Sequence, residues 1–87
     1  AAMSIARLLA YEGRGEEAVA TLDRVKTDKD KGIWWNCRLQ LCYGEVYEIT
    51  GKKSEALTRY KVVAGFEKAD AHLREVAKKK IEQLEKE

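Results

Sequence analysis

The stretch LCYGEVYEITGKKSEALTRY, Leu41 to Tyr60, contains the features that decide the fold. Apolar residues recur on both sides of its centre at the spacing of amphipathic helices. Gly51 interrupts that pattern, and we expect it to take a positive φ where the first helix ends. Gly44 lies within a helix, where glycine costs about 1 kcal/mol relative to alanine. We therefore expect the missing side chain to let a partner helix approach closely, near Ala56.

Helical periodicity appears five times along the chain, and no segment alternates long enough to predict a strand. The predicted helices cover Met3 to Glu12, Glu16 to Lys26, Ile33 to Thr50, Ser54 to Phe66, and a last helix of residues 70–86 that Asp70 opens as N-cap. The charged run TDKDKG, Thr27 to Gly32, is the predicted loop. The sequence thus predicts an all-α fold of five helices.

The chain also repeats itself. When EGRGEEAVATLDRV (residues 12–25) is aligned with TGKKSEALTRYKVV (residues 50–63), the offset is 38 residues. The aligned pairs are Gly13/Gly51, Glu17/Glu55, Ala18/Ala56, Val25/Val63, Leu22/Tyr60 and, upstream, Ala6/Gly44 and Leu9/Tyr47. Each unit therefore reads as helix, glycine turn, helix.

Small residues where two helices cross, large ones beside them and a glycine at the turn resemble the tetratricopeptide repeat. Five residues of the second unit match that family's signature positions: Gly44, Tyr47, Gly51, Ala56 and Tyr60. The resemblance implies antiparallel helix-hairpin repeats of an α-solenoid. One domain of residues 1–87 would contain a first repeat (1–26), a loop (27–32), a second repeat (33–66) and a capping helix (70–86), and would be a fragment of a longer chain.

The chain departs from the family in three ways. Its period is 38 residues rather than the family's roughly 34, and the extra residues are assigned to Thr27 to Gly32. Gln40 occupies the usual tryptophan position. The proline that normally ends a unit is missing, since the chain contains none.

The resemblance implies that the first helix of each unit lines a groove that binds a segment of a protein partner. The candidate groove residues are Arg7, Tyr11, Trp34, Arg38, Leu41, Glu45, Glu48 and Ile49. The lysines and asparagines with which chaperone-binding relatives hold a C-terminal carboxylate are not present at these positions. Trp34 is open to two interpretations: an exposed binding residue, or one that covers the loop or packs on the first unit. Trp35, about 100° away on the helix, is the better core candidate.

Composition and motifs argue against several other functions. Seventeen Lys and Arg against fifteen Asp and Glu give a net charge of +2, too small a basic excess for a typical nucleic-acid binder. No apolar run approaches the roughly 20 residues of a membrane span. Cys37 and Cys42 are too far apart on one helix to form a disulfide and are expected to be buried thiols. A lone His72 does not suggest catalysis, so we expect no enzyme, metal or cofactor.

The sequence therefore favours a protein-interaction scaffold. The alternative is a structural end of a longer repeat array, or a self-association module forming a homo-oligomer, whose first helix leaves an apolar side exposed. Two unpaired thiols favour a cytoplasmic location. The stretch ARLLAYEGRGEEAVATLDRVK and the final KKIEQLE are also similar to the periplasmic C-terminal part of a bacterial ancillary translocon subunit, which implies a periplasmic location instead.

Overall fold

The computed structural model of the chain describes residues 2–26 and 32–87. These residues form helices that we number α1 (Ala2–Tyr11), α2 (Gly15–Lys26), α3 (Gly32–Ile49), α4 (Lys53–Ala64) and α5 (Ala71–Glu85). Neither described range contains a strand. The prediction of an all-α fold with five helices is confirmed.

The helix ends differ from the predicted ones by at most two residues. Residues 27–31 of the predicted loop lie outside the described part of the chain, and Gly32 is the first residue of α3, with a φ of 81°. Asp70 immediately precedes α5, as predicted. Its side chain makes no capping hydrogen bond, so α5 begins without the side-chain cap that the sequence suggested.

Two glycine turns with the same hydrogen bonds end α1 and α3. Gly13 and Gly51 have φ values of 80° and 79°, which confirms the positive φ predicted for Gly51. The Arg14 N–H donates to Leu9 C=O at 2.9 Å, and the Lys52 N–H donates to Tyr47 C=O at 2.8 Å. These are the six-to-one bonds of a Schellman turn, in which the left-handed glycine lets the chain cap the helix it has just left. Each donor and acceptor of the second turn lies 38 residues after its counterpart in the first.

The turns fold the chain into two antiparallel helix pairs, hairpin 1 (α1 and α2) and hairpin 2 (α3 and α4). Helix α3 packs against both helices of hairpin 1 and also contacts α4 and α5, while α5 packs mainly on α4. This central position explains why apolar residues cover most sides of α3 rather than one stripe. Its buried residues are Cys37, Leu39, Leu41, Cys42, Tyr43, Gly44 and Val46.

The hydrophobic core consists of two clusters that repeat one another. The first joins hairpin 1 to α3, and its members include Ala18, Leu22, Val25, Leu39, Tyr43 and Val46. The second joins hairpin 2 to α5, and its members include Ala56, Tyr60, Val63, Ala77, Ile81 and Leu84. Every residue named in the second cluster lies 38 positions after its counterpart in the first. Helix α5 therefore packs on hairpin 2 through the same positions by which α3 packs on hairpin 1.

Gly44 brings α4 close to α3, as predicted, and the atoms nearest to the missing side chain belong to Tyr60. An ideal Cβ placed on Gly44 would lie 2.7 Å from Cδ1 and 2.8 Å from Cζ of the Tyr60 ring. Tyr60 is fully buried. The glycine thus makes room for an aromatic ring, and in hairpin 1 the corresponding pair is the larger Ala6 with the smaller Leu22.

Candidate protein-binding surface

The eight predicted groove residues differ in exposure and in the partners that their side chains contact. Two of them, Trp34 and Arg38, lie near the beginning of α3, one helical turn apart. Trp34 is 58% exposed, and the Arg38 guanidinium carbon lies 5.6 Å from the centroid of its ring. This is a cation–π contact at a solvent-exposed site. Trp34 is thus exposed in the described part of the chain, while the loop that it was suggested to cover, residues 27–31, lies outside the described residues. Trp35 packs at the edge of the first core cluster, as predicted.

Arg7 and Glu45 bind each other where α1 crosses α3. Arg7 Nε donates to Glu45 Oε2 at 2.8 Å, and its Nη2 lies 3.3 Å from Oε1, so the pair is bidentate. The two side chains are 32% and 29% exposed. The hydrogen bond that Arg7 donates to the Glu45 carboxylate raises the pKa of Arg7. A ligand that bound the Arg7 guanidinium would have to displace the Glu45 carboxylate, and a ligand that bound Glu45 would have to displace Arg7.

Leu41 and Glu48 have structural roles instead. Leu41 is 5% exposed and belongs to the cluster that α5 covers, so its prediction as a groove residue is wrong. The physical reason is that α5 packs against this side of α3. Glu48 is half-buried, and its carboxylate accepts a hydrogen bond of 2.8 Å from the Tyr60 hydroxyl.

The remaining two residues, Tyr11 and Ile49, line a cavity of about 880 Å³ between the two glycine turns, which we call the turn cavity. Its lining is Ala10, Tyr11, Gly13, Gly15, Glu16, Val19, Tyr47, Ile49, Thr50, Lys52 and Glu55. Tyr11 is 74% exposed and Ile49 is half-buried. An ideal Cβ on Gly15 would lie 2.9 Å from Cγ2 of Thr50, so the second turn rests against the start of α2.

The turn cavity combines an apolar floor with charges at its rim. Ala10, Val19 and Tyr47 are apolar, buried or half-buried, whereas Glu16 and Lys52 are exposed. Apolar surface with a few polar groups around it is typical of sites that bind organic ligands. Sequence reasoning found Tyr11 and Ile49 but missed the cavity. The available signal was that matching glycines place both turns at the same end of the repeat.

A polar network that sequence reasoning missed joins the two hairpins on another side. Tyr43 donates its hydroxyl proton to the Asp23 carboxylate of α2. The Arg59 guanidinium lies 4.2 Å from the Tyr43 ring centroid and also donates to the Gln40 side-chain oxygen at 3.0 Å. These contacts link α2, α3 and α4.

The cysteines are buried, as predicted, and both are free thiols. Burial raises the pKa of Cys42 to about 11 and also raises that of Cys37. Neither thiol is therefore in the ionised form that nucleophilic chemistry requires near neutral pH. Residues 2–26 and 32–87 contain no group of three or more His, Cys, Asp or Glu side chains that could hold a metal ion.

Comparisons with protein-family models, with curated protein sequences and with solved structures found no match to this chain. Among the helices that the structure describes, none combines the length and apolar character needed to cross a membrane.

Proposed function

We propose that the protein is a scaffold that binds a segment of a partner protein, and that the turn cavity is the primary contact. The observation that carries this proposal is the exposed Tyr11 ring beside Ile49 at the mouth of an 880 Å³ cavity. Exposed aromatic residues next to an apolar depression are typical of the few positions that supply most of the binding energy in protein interfaces.

The second contact is the Trp34–Arg38 pair at the other end of α3. Ile49 lies 15 positions after Trp34 on α3, which places them about 22 Å apart along the helix. An extended peptide of roughly seven residues covers that distance. The partner segment would therefore anchor a side chain in the turn cavity and extend along α3 towards Trp34. Arg7 and Glu45, paired with each other between these points, would position the helices rather than bind.

The experiment is a selection from a displayed peptide library on the folded protein, followed by binding measurements on variants. Tyr11→Ser removes the ring at the cavity mouth, and Lys79→Ala on α5 changes an exposed residue far along the chain as the matched control. We expect the selected peptides to lose at least tenfold in affinity for Tyr11→Ser and to bind Lys79→Ala like the wild type. Trp34→Ser should weaken only peptides long enough to reach it.

Two results would count against the proposal. If no peptide is enriched over the unselected library, the surface is not a peptide-binding site. If enriched peptides bind Tyr11→Ser and wild type equally, the binding site lies elsewhere. Circular dichroism on each variant establishes that the helices remain folded, and this is expected because all three side chains are exposed.

A further inference from the structure

Helix α1 exposes an apolar face that the turn cavity does not include. Ile5 and Leu8, one turn apart on α1, are 51% and 62% exposed. We call these two residues the α1 outer face. A depression of about 410 Å³ runs from this face onto α2 and has both apolar and charged lining residues: Ile5, Leu9, Glu17, Ala20, Thr21 and Arg24. Large apolar residues grouped in this way usually mark a contact surface.

The repeat register identifies what such a face packs against. The counterparts of Ile5 and Leu8 in α3, 38 residues later, are Tyr43 and Val46, and both are fully buried against hairpin 1. After another 38 residues the counterparts in α5 are Ile81 and Leu84, which pack against hairpin 2. In both cases that the structure shows, α3 on α2 and α5 on α4, the corresponding face packs on the second helix of the preceding hairpin.

We propose that the α1 outer face is the docking surface for a further helical hairpin of the same type, supplied in line ahead of α1. Its second helix would present a small residue, a large apolar residue and a valine at intervals of four and three. This is the pattern of Ala18, Leu22 and Val25 in hairpin 1, and it recurs in hairpin 2. Stacked repeats bury such faces only against their neighbours, which is why a terminal face without a neighbour stays exposed.

Within its described residues, a second copy of the chain offers no uncovered hairpin face of the required kind. Both hairpin faces of the required kind are already covered within each molecule, the first by α3 and the second by α5. The outward side of α5 carries charged residues, including Lys78, Lys79 and Glu82, which are all exposed. Charged side chains make a poor partner for Ile5 and Leu8 because burying them costs their hydration.

The test is a tandem chain in which residues 1–38 are placed directly before the full 87-residue chain. This keeps the 38-residue period and places a copy of hairpin 1 directly before the α1 of the full chain. The junction also fuses the first turns of α3 to α1, so that Trp35, Ala1, Ile5 and Leu8 continue one stripe. We expect a single cooperative unfolding transition with a urea midpoint above that of the 87-residue chain.

Substitution of the α1 outer face then separates docking from a merely longer chain. The double substitution I5E/L8E in the following copy should lower the urea midpoint of the tandem chain by roughly 1–2 M. The same substitutions in the leading copy, where the face remains exposed, are the matched control and should change the midpoint little. They should likewise change little in the 87-residue chain itself.

Equal effects of I5E/L8E in the two copies would overturn the proposal, as would a tandem chain that unfolds at the midpoint of the 87-residue chain. Sedimentation of the 87-residue chain supplies an independent measurement. A dimer that I5E/L8E dissociates would assign the face to a second copy and would also overturn it. None of these results bears on the peptide selection above, which uses Tyr11 at the turn cavity, so the two proposals can fail separately.

Discussion

Arg7 and Glu45 occupy the same position in successive units, 38 residues apart, and they bind each other. The repeat therefore places opposite charges at one position on two neighbouring first helices. Their bidentate contact crosses from α1 to α3 and so lies at one of the two helix contacts between hairpin 1 and hairpin 2. Because each side chain is about two-thirds covered, the pair is screened less than a surface ion pair.

The first prediction concerns this pair. A double-mutant cycle with Arg7→Ala and Glu45→Ala should give a coupling free energy of about 1 kcal/mol, near the upper end for partly exposed pairs. The exchanged variant R7E/E45R should recover part of the loss because it keeps the opposite charges.

Arg14 and Glu17, a bonded pair that is more than half exposed, form the matched control and should couple by only a few tenths of a kcal/mol. Urea unfolding at low salt and at high salt measures both, and equal coupling for the two pairs would show that the α1–α3 contact has no special role.

The second prediction concerns Gly44 and Tyr60. Gly44→Ala should destabilise the protein by about 1–2 kcal/mol, since the overlap with the buried Tyr60 ring outweighs the gain in helix propensity. G44A/Y60L recreates the Ala6 and Leu22 pair of hairpin 1, so it should be less destabilised than the sum of the two single variants. Tyr60→Leu alone also loses the hydrogen bond to Glu48.

The reciprocal cycle in hairpin 1 is the control for that prediction. Leu22→Tyr should clash with Ala6, and A6G/L22Y should relieve the clash because it copies the pair of hairpin 2. Thermal unfolding of wild type and of the two single variants and one double variant of each hairpin, six variants in all, measures both cycles. Additive effects in both hairpins would mean that the small residue and the ring do not share one space.

The third prediction concerns the two glycine turns. Gly13→Ala and Gly51→Ala should each cost roughly 1 kcal/mol, because a Cβ is disfavoured at φ near +80° although it would meet no neighbour within 4 Å. Gly51→Asn should cost less, since asparagine tolerates the left-handed region. If the two turns are equivalent, urea unfolding should show similar losses of unfolding free energy for Gly13→Ala and Gly51→Ala. A loss at Gly51 much larger than at Gly13 would contradict that equivalence.

Much of this fold was predictable from the sequence because the repeat conserves small residues and glycines where geometry demands them. Gly13 and Gly51 end helices through their φ, and Ala6 and Gly44 sit where a second helix crosses. Because both hairpins have these requirements, the same residue types recur in the sequence 38 residues apart. The helix ends and the close approach at Gly44 followed from them.

The sequence predicted a capping helix, but not that α5 packs on hairpin 2 through residues 38 positions after those of α3. The reason is physical. The counterpart of Ala6 and Gly44 in α5 is Glu82, which is exposed. No second helix crosses α5 within the described residues, so a small side chain is not required there. Only the apolar stripe that faces hairpin 2 is kept, and such a stripe fits any amphipathic helix. The error at Leu41 has the same origin, because its burial depends on where α5 packs.

The last prediction concerns alkaline pH. Burial is the main cause that raises the pKa of the Tyr60 and Tyr43 hydroxyls, with further contributions from their hydrogen bonds to Glu48 and Asp23. Burial also raises the pKa of Cys42 from its ordinary 9.0 to about 11. Each group is therefore harder to ionise in the folded than in the unfolded protein. Their contribution to stability is complete below the unfolded-state pKa values and is lost as pH rises through the folded ones.

We expect the free energy of unfolding to change little between pH 7 and about 9 and to fall progressively above that, from the thiol first and the phenols next. Tyr60→Phe cannot ionise, so its stability should fall less steeply above pH 10 even though it starts lower. Tyr11→Phe, which removes an exposed phenol, is the matched control and should keep the wild-type slope. Urea unfolding across this pH range gives the slopes. If Tyr60→Phe and Tyr11→Phe lose stability in parallel with the wild type, the buried Tyr60 hydroxyl is not what resists ionisation in the folded protein.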